Sequence, residues 1–310
     1  MPINILFAAG EKLWSDYRDP LAAGLAEAGL DGRIEMDMTP ETVDYIVYSP
    51  GSDLQDFTPY TRARAVLNLW AGVERTVTNP TLKIPFTRMV DPAMTAHMSE
   101  WVSAHVMRYH VGMDADIVNP DHVWKPRVPP LAAERPVCIL GLGELGTAAA
   151  RMLAGLGFDV SGWSRSPKEI EGIRCHHGDA GFETALRGGQ IFVTLLPDTP
   201  ATENIIDART LALMPKGAFL INPGRGPLID DDALLSALDA GHIAGATLDV
   251  FRTEPLPGDH PYWDHPRVTV TPHIAAHTRP ATAARVVTEN IRRSEAGEPL
   301  LHQVNMGRGY

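Results

Sequence analysis

Three residues of complementary chemistry each follow a predicted strand in the second half of the chain. Arg225 lies between Gly224 and Gly226, Glu254 precedes Pro255, and His273 follows Pro272. The strands before them are predicted over residues 218–221, 244–250 and 268–270. Because the carboxyl ends of parallel strands share one edge, the three side chains are expected to meet there.

These three side chains match the needs of a 2-keto acid during reduction. An arginine binds a carboxylate through two parallel hydrogen bonds. A histidine protonates the carbonyl oxygen as hydride arrives, and a carboxylate beside it fixes the imidazole tautomer and favours its charged form. We therefore predict that Arg225, Glu254 and His273 are catalytic, and that Arg225 and His273 contact the substrate.

A glycine-rich turn predicts a dinucleotide site upstream. The apolar run 137–140 leads into Gly141-Leu142-Gly143-Glu144-Leu145-Gly146, and a helix is predicted over residues 147–156. The G-x-G-x-x-G spacing allows a tight turn, a close approach of the pyrophosphate and close helix–strand packing. The helix N-terminus then offers free N–H groups to the phosphates.

The end of the next predicted strand, 158–163, indicates which dinucleotide is bound. An NAD site usually places Asp or Glu at this point to bind the ribose 2′-hydroxyl. Here the chain has Ser164, Arg165, Ser166 and Lys168 instead. Since a guanidinium binds a phosphate with two charge-assisted bonds, we predict NADPH (NADP) in preference to NADH.

Other residues at strand ends complete the expected cofactor site. Leu195, Leu196 and Pro197 end an apolar run and are expected to form a wall beside the cofactor. We also predict that the residues before Arg225 and one after His273 bind the cofactor, namely Asn222, Pro223, Gly224 and Ala275. Asp230 is expected to cap a helix over residues 233–238.

Composition and charge exclude several classes of protein. The chain has 310 residues, 44% of them hydrophobic, and a net charge of −11. This composition is typical of a globular protein of about two domains, and an acidic chain repels nucleic acids and anionic membranes. With two cysteines, no signal-peptide pattern and no long apolar run, we expect a cytoplasmic protein without disulfides or a membrane partner.

Strand and helix signals also alternate in the first third, which favours a parallel sheet. Strands are predicted over residues 3–8, 44–48 and 65–70, a helix over 95–109, and a proline-rich extended connection over 119–136. Cys175-His176-His177 has no second ligand pair at a useful spacing. We predict a surface loop there and no metal site.

Together these motifs resemble the D-2-hydroxyacid dehydrogenase family, most closely its glyoxylate/hydroxypyruvate reductase A branch. The resemblance rests on G-L-G-E-L-G, W-S-R-S, L-L-P-D-T, N-P-G-R-G, L-D-V-F-R-T-E-P-L-P and T-P-H-I-A-A-H-T, with W-K-P at 124–126 and R-G-Y at 308–310. It is dense from about residue 124 onward and thin before residue 67. Gly224 stands where the family usually has alanine.

The resemblance implies an α/β fold of two Rossmann-like, doubly wound parallel-sheet domains with an interdomain cleft. The substrate-binding domain would comprise residues 1–94 and 278–310, and the dinucleotide-binding domain residues 95–277. Further implied contacts are Asp249 with the nicotinamide amide, Thr202 with phosphate, and the N–H groups of Ala71, Gly72 and Val73 with the substrate carboxylate. A homodimer formed through residues 95–109 and 119–136 is implied too, with Trp124 either reaching the partner or packing locally.

The resemblance implies NADPH-dependent reduction of a short 2-keto acid, with glyoxylate and hydroxypyruvate as first candidates. Two alternatives stay open. One is a reductase of bulkier, phenylpyruvate-like 2-keto acids, since Tyr48 and Trp70 are either pocket or core residues. The other is a non-catalytic regulator that senses NAD(P)H. Such a protein could dispense with one of the three predicted catalytic residues, whereas this chain has all three.

Overall fold

The computed structural model describes residues 2–117 and 119–307. The R-G-Y motif at 308–310 lies outside them. The chain divides into two compact units, one of Met1–Met94 with Thr278–Tyr310 and one of Thr95–His277. Each unit contains one sheet of parallel strands with helices.

The described residues form the following elements in chain order. The strands are β1 Ile3–Ala8, β2 Gly32–Glu35, β3 Tyr45–Tyr48, β4 Ala65–Asn68, β5 Phe86–Thr87, β6 Pro136–Leu140, β7 Asp159–Ser164, β8 Arg174–His177, β9 Ile191–Thr194, β10 Ala218–Asn222, β11 Ile243–Leu248 and β12 Val268–Val270. The helices are α1 Glu11–Glu27, α2 Glu74–Val77, α3 Pro92–Val111, α4 Asp114–Ile117, α5 Glu144–Gly155, α6 Gly178–Gly188, α7 Ala208–Leu213, α8 Asp231–Asp239 and α9 Pro280–Glu295. Among the described residues, no helix combines the length and apolar character needed to cross a bilayer.

The first unit has a five-stranded sheet in the order β2-β1-β3-β4-β5. Its helix α1 contributes Leu21 and Leu25, four residues apart, to a core that also holds Val287 and Ile291 of α9. The two helices approach closely at Gly24, where a Cβ would lie 2.9 Å from Oγ1 of Thr288. The expected parallel sheet of the first third is therefore present.

The second unit has a seven-stranded sheet in the order β12-β11-β10-β9-β6-β7-β8. Alternate residues of its strands enter two separate cores, which explains the near-continuous apolar runs in the sequence. Cys138 and Leu140 of β6 pack on one face, while Val137 and Ile139 pack on the other. Both faces are covered, as the doubly wound fold requires.

Most predicted elements exist with bounds shifted by a few residues, and one prediction is wrong. Cys175-His176-His177 is not a loop, because it forms most of the edge strand β8, which pairs with β7. An edge strand has one partner and buries little, so it lacks the apolar run that marks the central strands. Asp230 caps α8 as predicted, accepting a bond from the Ala233 N–H at 3.0 Å.

A buried polar contact fixes α3 to β11, the strand that leads into the site. The hydroxyl groups of Tyr109 and Thr247 lie 2.7 Å apart, and the Tyr109 ring stacks on Phe219. Nearby, burial lowers the pKa of His105 to about 4, so its imidazole is neutral at pH 7. The helix is thus held to the sheet by both apolar packing and a hydrogen bond.

We predict that Tyr109→Phe lowers the free energy of unfolding by about 1–3 kcal/mol, because it leaves the buried Thr247 hydroxyl without its close partner. Replacing both partners, in Tyr109→Phe with Thr247→Val, should cost less than Tyr109→Phe alone. Urea denaturation measures the free energy of unfolding of the original chain, the single variant and the double variant. A single variant as stable as the original chain would show that this bond does not anchor α3.

Candidate active site

The glycine turn has the geometry of a pyrophosphate cradle. Gly141 has φ +113°, and a Cβ there would lie 2.4 Å from the Leu195 carbonyl oxygen. A Cβ on Gly146 would lie 1.8 Å from the Gly141 carbonyl oxygen, so this glycine lets α5 sit directly on the turn. At Gly143, which precedes α5, a Cβ would meet nothing within 4 Å. The open space at a helix N-terminus fits a bound pyrophosphate.

The residues directly after β7, 165–168, form a turn whose charged side chains are basic, and the carboxylates of Glu169 and Glu171 come after them. The Ser164 hydroxyl donates to the Ser166 carbonyl oxygen at 2.7 Å, which closes the turn. Arg165, Ser166 and Lys168 are exposed, and no carboxylate occurs between residues 164 and 168. This charge suits a 2′-phosphate and lacks the acidic group that a ribose 2′-hydroxyl normally meets.

The chain after β9 runs beside the glycine turn before it bends away. The Leu195 N–H donates to the Leu140 carbonyl oxygen at 2.7 Å, and Leu196 is buried. Thr202 is engaged in its own turn, because its hydroxyl donates to the Pro197 carbonyl oxygen at 2.6 Å and accepts from the Thr199 N–H at 2.9 Å. Thr202 therefore braces the segment that carries Leu195, Leu196 and Pro197.

Asn222 shapes the turn that carries Arg225. Its buried Oδ1 accepts bonds from the Thr194 hydroxyl at 2.7 Å and the Gly224 N–H at 3.1 Å. Its Nδ2 donates to the Arg225 carbonyl oxygen at 2.8 Å. Pro223 and Gly224 are buried as well, whereas Arg225 is partly exposed. The side-chain amide of Asn222 thus works inside the turn.

The Arg225 turn lies directly against the residues that follow β11. A Cβ on Gly226 would lie 2.0 Å from the carbonyl carbon of Phe251. The Phe251 N–H in turn donates to Oε1 of Glu254 at 2.9 Å, so this short segment folds back on itself. The glycine after Arg225 is therefore required by the close approach of two loops.

His273 and Glu254 form a direct pair. The Nδ1 of His273 lies 2.7 Å from Oε2 of Glu254, and both side chains are partly exposed. A carboxylate accepts, so Nδ1 carries a proton and Nε2 is the nitrogen left to face a ligand. The two side chains are therefore in contact, as predicted from the sequence.

Asp249 holds the segment on which His273 lies. Its wholly buried carboxylate accepts from the Thr271 hydroxyl at 2.6 Å, the Ile274 N–H at 2.9 Å and the Ala275 N–H at 2.8 Å. Its backbone carbonyl oxygen accepts from the His273 N–H at 2.8 Å. These bonds hold His273 at φ +53°, a conformation that is uncommon for a residue with a side chain.

The remaining predicted substrate residues lie in the other unit, after β4. Asn68 Nδ2 donates to the carbonyl oxygens of Trp70 at 2.9 Å and Gly72 at 3.1 Å and so fixes the turn of Ala71, Gly72 and Val73. Tyr48 belongs to the core, where its ring meets Phe57, whereas Trp70 is about half exposed.

The sequence indicates no role for Arg252, which lies in the segment between β11 and Glu254. Arg252 lies between Phe251 and Glu254, and its side chain contacts residues outside its own segment. The only signal in the sequence was its position two residues before the predicted catalytic glutamate.

Comparison with known proteins identifies the family. Residues 104–275 match the family model described as "D-isomer specific 2-hydroxyacid dehydrogenase, NAD binding domain". The chain belongs to this family. Among curated relatives, the glyoxylate/hydroxypyruvate reductase A of Yersinia enterocolitica is 41% identical over 228 residues, which is 73% of each protein.

Solved structures of D-2-hydroxyacid dehydrogenases cover the whole chain. One from Xanthobacter autotrophicus Py2, in complex with NADPH and MES, is 41% identical, with a TM-score of 0.93 and 100% coverage of both chains. An NADPH-dependent glyoxylate/hydroxypyruvate reductase from Sinorhizobium meliloti, in complex with NADP and sulfate, is 34% identical, with a TM-score of 0.85 and coverage of 100% of this chain and 99% of that one. The two-domain α/β fold predicted from the motifs is confirmed.

Proposed function

We propose that the protein is an NADPH-dependent reductase of short 2-keto acids, with glyoxylate and hydroxypyruvate as the first candidates. The observation that carries this proposal is the His273–Glu254 pair, 2.7 Å apart, on the sheet that also presents Arg225 and the glycine turn. The names of the relatives from Yersinia and Sinorhizobium support the substrate class. The NADPH and NADP in the complexes from Xanthobacter and Sinorhizobium support the cofactor.

The chemistry assigns one task to each side chain. Arg225 binds the substrate carboxylate and polarises the neighbouring carbonyl. Nε2 of His273 gives its proton to the carbonyl oxygen while C2 accepts the hydride, which yields the 2-hydroxy acid. Glu254 accepts from Nδ1 of His273 and so fixes the tautomer and the orientation of the imidazole. NADPH, when bound, supplies the hydride.

The dinucleotide is held by the unit of Thr95–His277. We assign its phosphates to the turn from Gly141 to Gly146 and the following segment with Thr202, and its 2′-phosphate to Ser164, Arg165, Ser166 and Lys168. We assign the wall beside it to Leu195, Leu196 and Pro197, and further cofactor contacts to Asn222, Pro223, Gly224 and Ala275. Asp249 Oδ2 accepts one hydrogen bond from the chain and keeps capacity for the nicotinamide amide.

The unit of Met1–Met94 with Thr278–Tyr310 takes the substrate-binding role. Its turn of Ala71, Gly72 and Val73 offers N–H groups to the substrate carboxylate, and Asn68 preorganises that turn.

Cys138 and Cys175 are free thiols, as is typical of a reducing compartment, and we place the enzyme in the cytoplasm.

Arg225→Lys and Arg225→Ala test the substrate role. Lysine keeps the charge but loses the planar fork, and alanine loses both, at about 1.5–3 kcal/mol for each charge-assisted bond. We expect kcat/KM for glyoxylate to fall on the order of 10²–10⁴-fold in the alanine variant and less in the lysine variant. NADPH oxidation against a panel of 2-keto acids measures this. Unchanged kinetics in both variants would refute the role, and no turnover of any 2-keto acid would refute the function.

Arg165→Asp tests the choice of cofactor. The change replaces a phosphate ligand by a group that binds a ribose hydroxyl, so the preference for NADPH over NADH should fall by about 10²-fold or more. Lys216→Asp is the control. Lys216 is exposed and lies before the start of β10, whereas the predicted cofactor residues follow the carboxyl ends of strands. The assignment is wrong if the ratio of kcat/KM for the two cofactors stays the same in Arg165→Asp.

We also propose that the enzyme is a homodimer formed through α3 and residues 119–136. Large apolar side chains near this segment are exposed, among them Trp124 at 93% and Val128 at 96%. Exposure of this extent in neighbouring apolar residues is typical of an interface.

Trp124→Glu with Val128→Glu should shift the dimer toward monomer, because two charges cannot be buried in an apolar contact without a partner. Trp263→Glu is a suitable control, since Trp263 is about half exposed outside this segment. Sedimentation equilibrium measures the mass. A monomeric original chain, or a double variant that dimerises as tightly, would contradict the interface.

A further inference from the structure

Arg252 links the segment that carries Glu254 to the segment that follows Arg225. Its Nη2, with two N–H groups, donates to the Ile229 carbonyl oxygen at 2.6 Å and to Oδ1 of Asn204, and the Pro227 carbonyl oxygen shares one of these N–H groups at 3.3 Å. We propose that Arg252 is a positioning residue that holds the catalytic arginine and the histidine–glutamate pair in register. The proposal rests on the proposed function.

The side chain starts from a segment that is already tied to the catalytic pair. Phe251 donates its N–H to Oε1 of Glu254, whose other oxygen binds His273. Arg252 lies inside this closed turn, outside any helix or strand. A movement of the Arg252 backbone therefore displaces Glu254, and through Glu254 the imidazole.

The other end of the contact is the chain immediately after Arg225. Residues Gly226–Leu228 form a single 3₁₀ turn that starts at Arg225, and the Arg252 guanidinium binds carbonyl oxygens within and just beyond it. Backbone carbonyl oxygens move with the main chain, so these bonds constrain the position of the turn itself. Asn204, on a third segment, provides a further fixed acceptor.

Charge and packing strengthen the link. Two carboxylates lie near the guanidinium, Glu203 at 3.8 Å and Asp231 at 3.9 Å, and the Arg252 side chain is only 33% exposed. The two segments also touch at Gly226 and Phe251, where a Cβ would lie 2.0 Å from the Phe251 carbonyl carbon. A guanidinium spreads its charge and donors over three nitrogens, so Nη2 faces the backbone and amide oxygens while Nη1 and Nε face the two carboxylates.

The functional consequence follows from the tolerance of catalysis to misplacement. An error of about 1 Å between catalytic groups can cost on the order of 10² in rate. Arg225 and Glu254 reside on different strand ends, so the sheet alone does not fix their side-chain separation to that precision. Arg252 bridges the two ends directly.

The test compares Arg252→Ala and Arg252→Lys with Arg209→Ala, an exposed arginine of α7 that pairs with Glu183. We expect Arg252→Ala to lower kcat for glyoxylate by about 10–100-fold, with the Kd for NADPH within about 2-fold of the original. Arg252→Lys should recover part of the rate, and Arg209→Ala should keep it. Added guanidinium at low millimolar concentration, against an equal concentration of NaCl, should raise kcat of Arg252→Ala.

Asn204→Ala provides a second measurement that does not remove the arginine. It should lower kcat in the original chain but have little further effect in the Arg252→Ala background, because the two residues act through one contact. Additive effects would contradict the link, as would a kcat within about 2-fold of the original in Arg252→Ala. The link would also be contradicted if Arg252→Ala lost kcat, NADPH affinity and thermal stability together and added guanidinium did not raise its kcat.

These outcomes separate the inference from the function on which it rests. If Arg225→Ala is inactive while Arg252→Ala is fully active, the positioning role fails and the reductase stands. If Arg225→Ala keeps full activity, the substrate role of Arg225 fails, and a rate loss in Arg252→Ala then cannot be assigned to the Arg225 turn, which overturns this proposal too.

Discussion

The parallel direction of seven strands is the constraint on which the site depends. Residues that follow parallel strands emerge at one edge, whatever their separation in sequence. The glycine turn follows β6, Arg225 follows β10 and His273 follows β12. A reversal of any one of these strands would carry its functional residue to the opposite edge. The fold therefore supplies coarse placement, and the loops supply the rest.

Fine placement comes from buried polar side chains that bind backbone groups of neighbouring loops. Asn222 closes the turn of Arg225 by a hydrogen bond to its carbonyl oxygen. The carboxylate and the backbone carbonyl oxygen of Asp249 accept hydrogen bonds from the segment of His273. Each alternative arrangement of these buried side chains would leave polar atoms unpaired, so their hydrogen bonds favour a single one. This explains how His273 is kept at a positive φ beside Glu254.

The positions of the proposed catalytic residues could be predicted from the sequence because each has distinctive chemistry and follows a strong apolar run. The central strands could be predicted for the same reason, since strands buried on both faces are continuously apolar. β8 could not, because an edge strand with Cys175, His176 and His177 has no such run. Neither could the contacts of Asn222, Asp249 and Arg252, since they join loops whose approach depends on the tertiary structure.

The central claim is that Arg225 and His273 act together on one 2-keto acid. A crystal structure of the enzyme with NADP and oxamate, an unreactive 2-keto acid analogue, tests it most directly. The account predicts the oxamate carboxylate at about 3 Å from the Arg225 guanidinium, and the carbonyl oxygen at about 3 Å from Nε2 of His273. Oxamate bound elsewhere, or bound with either side chain turned into bulk solvent, would contradict it.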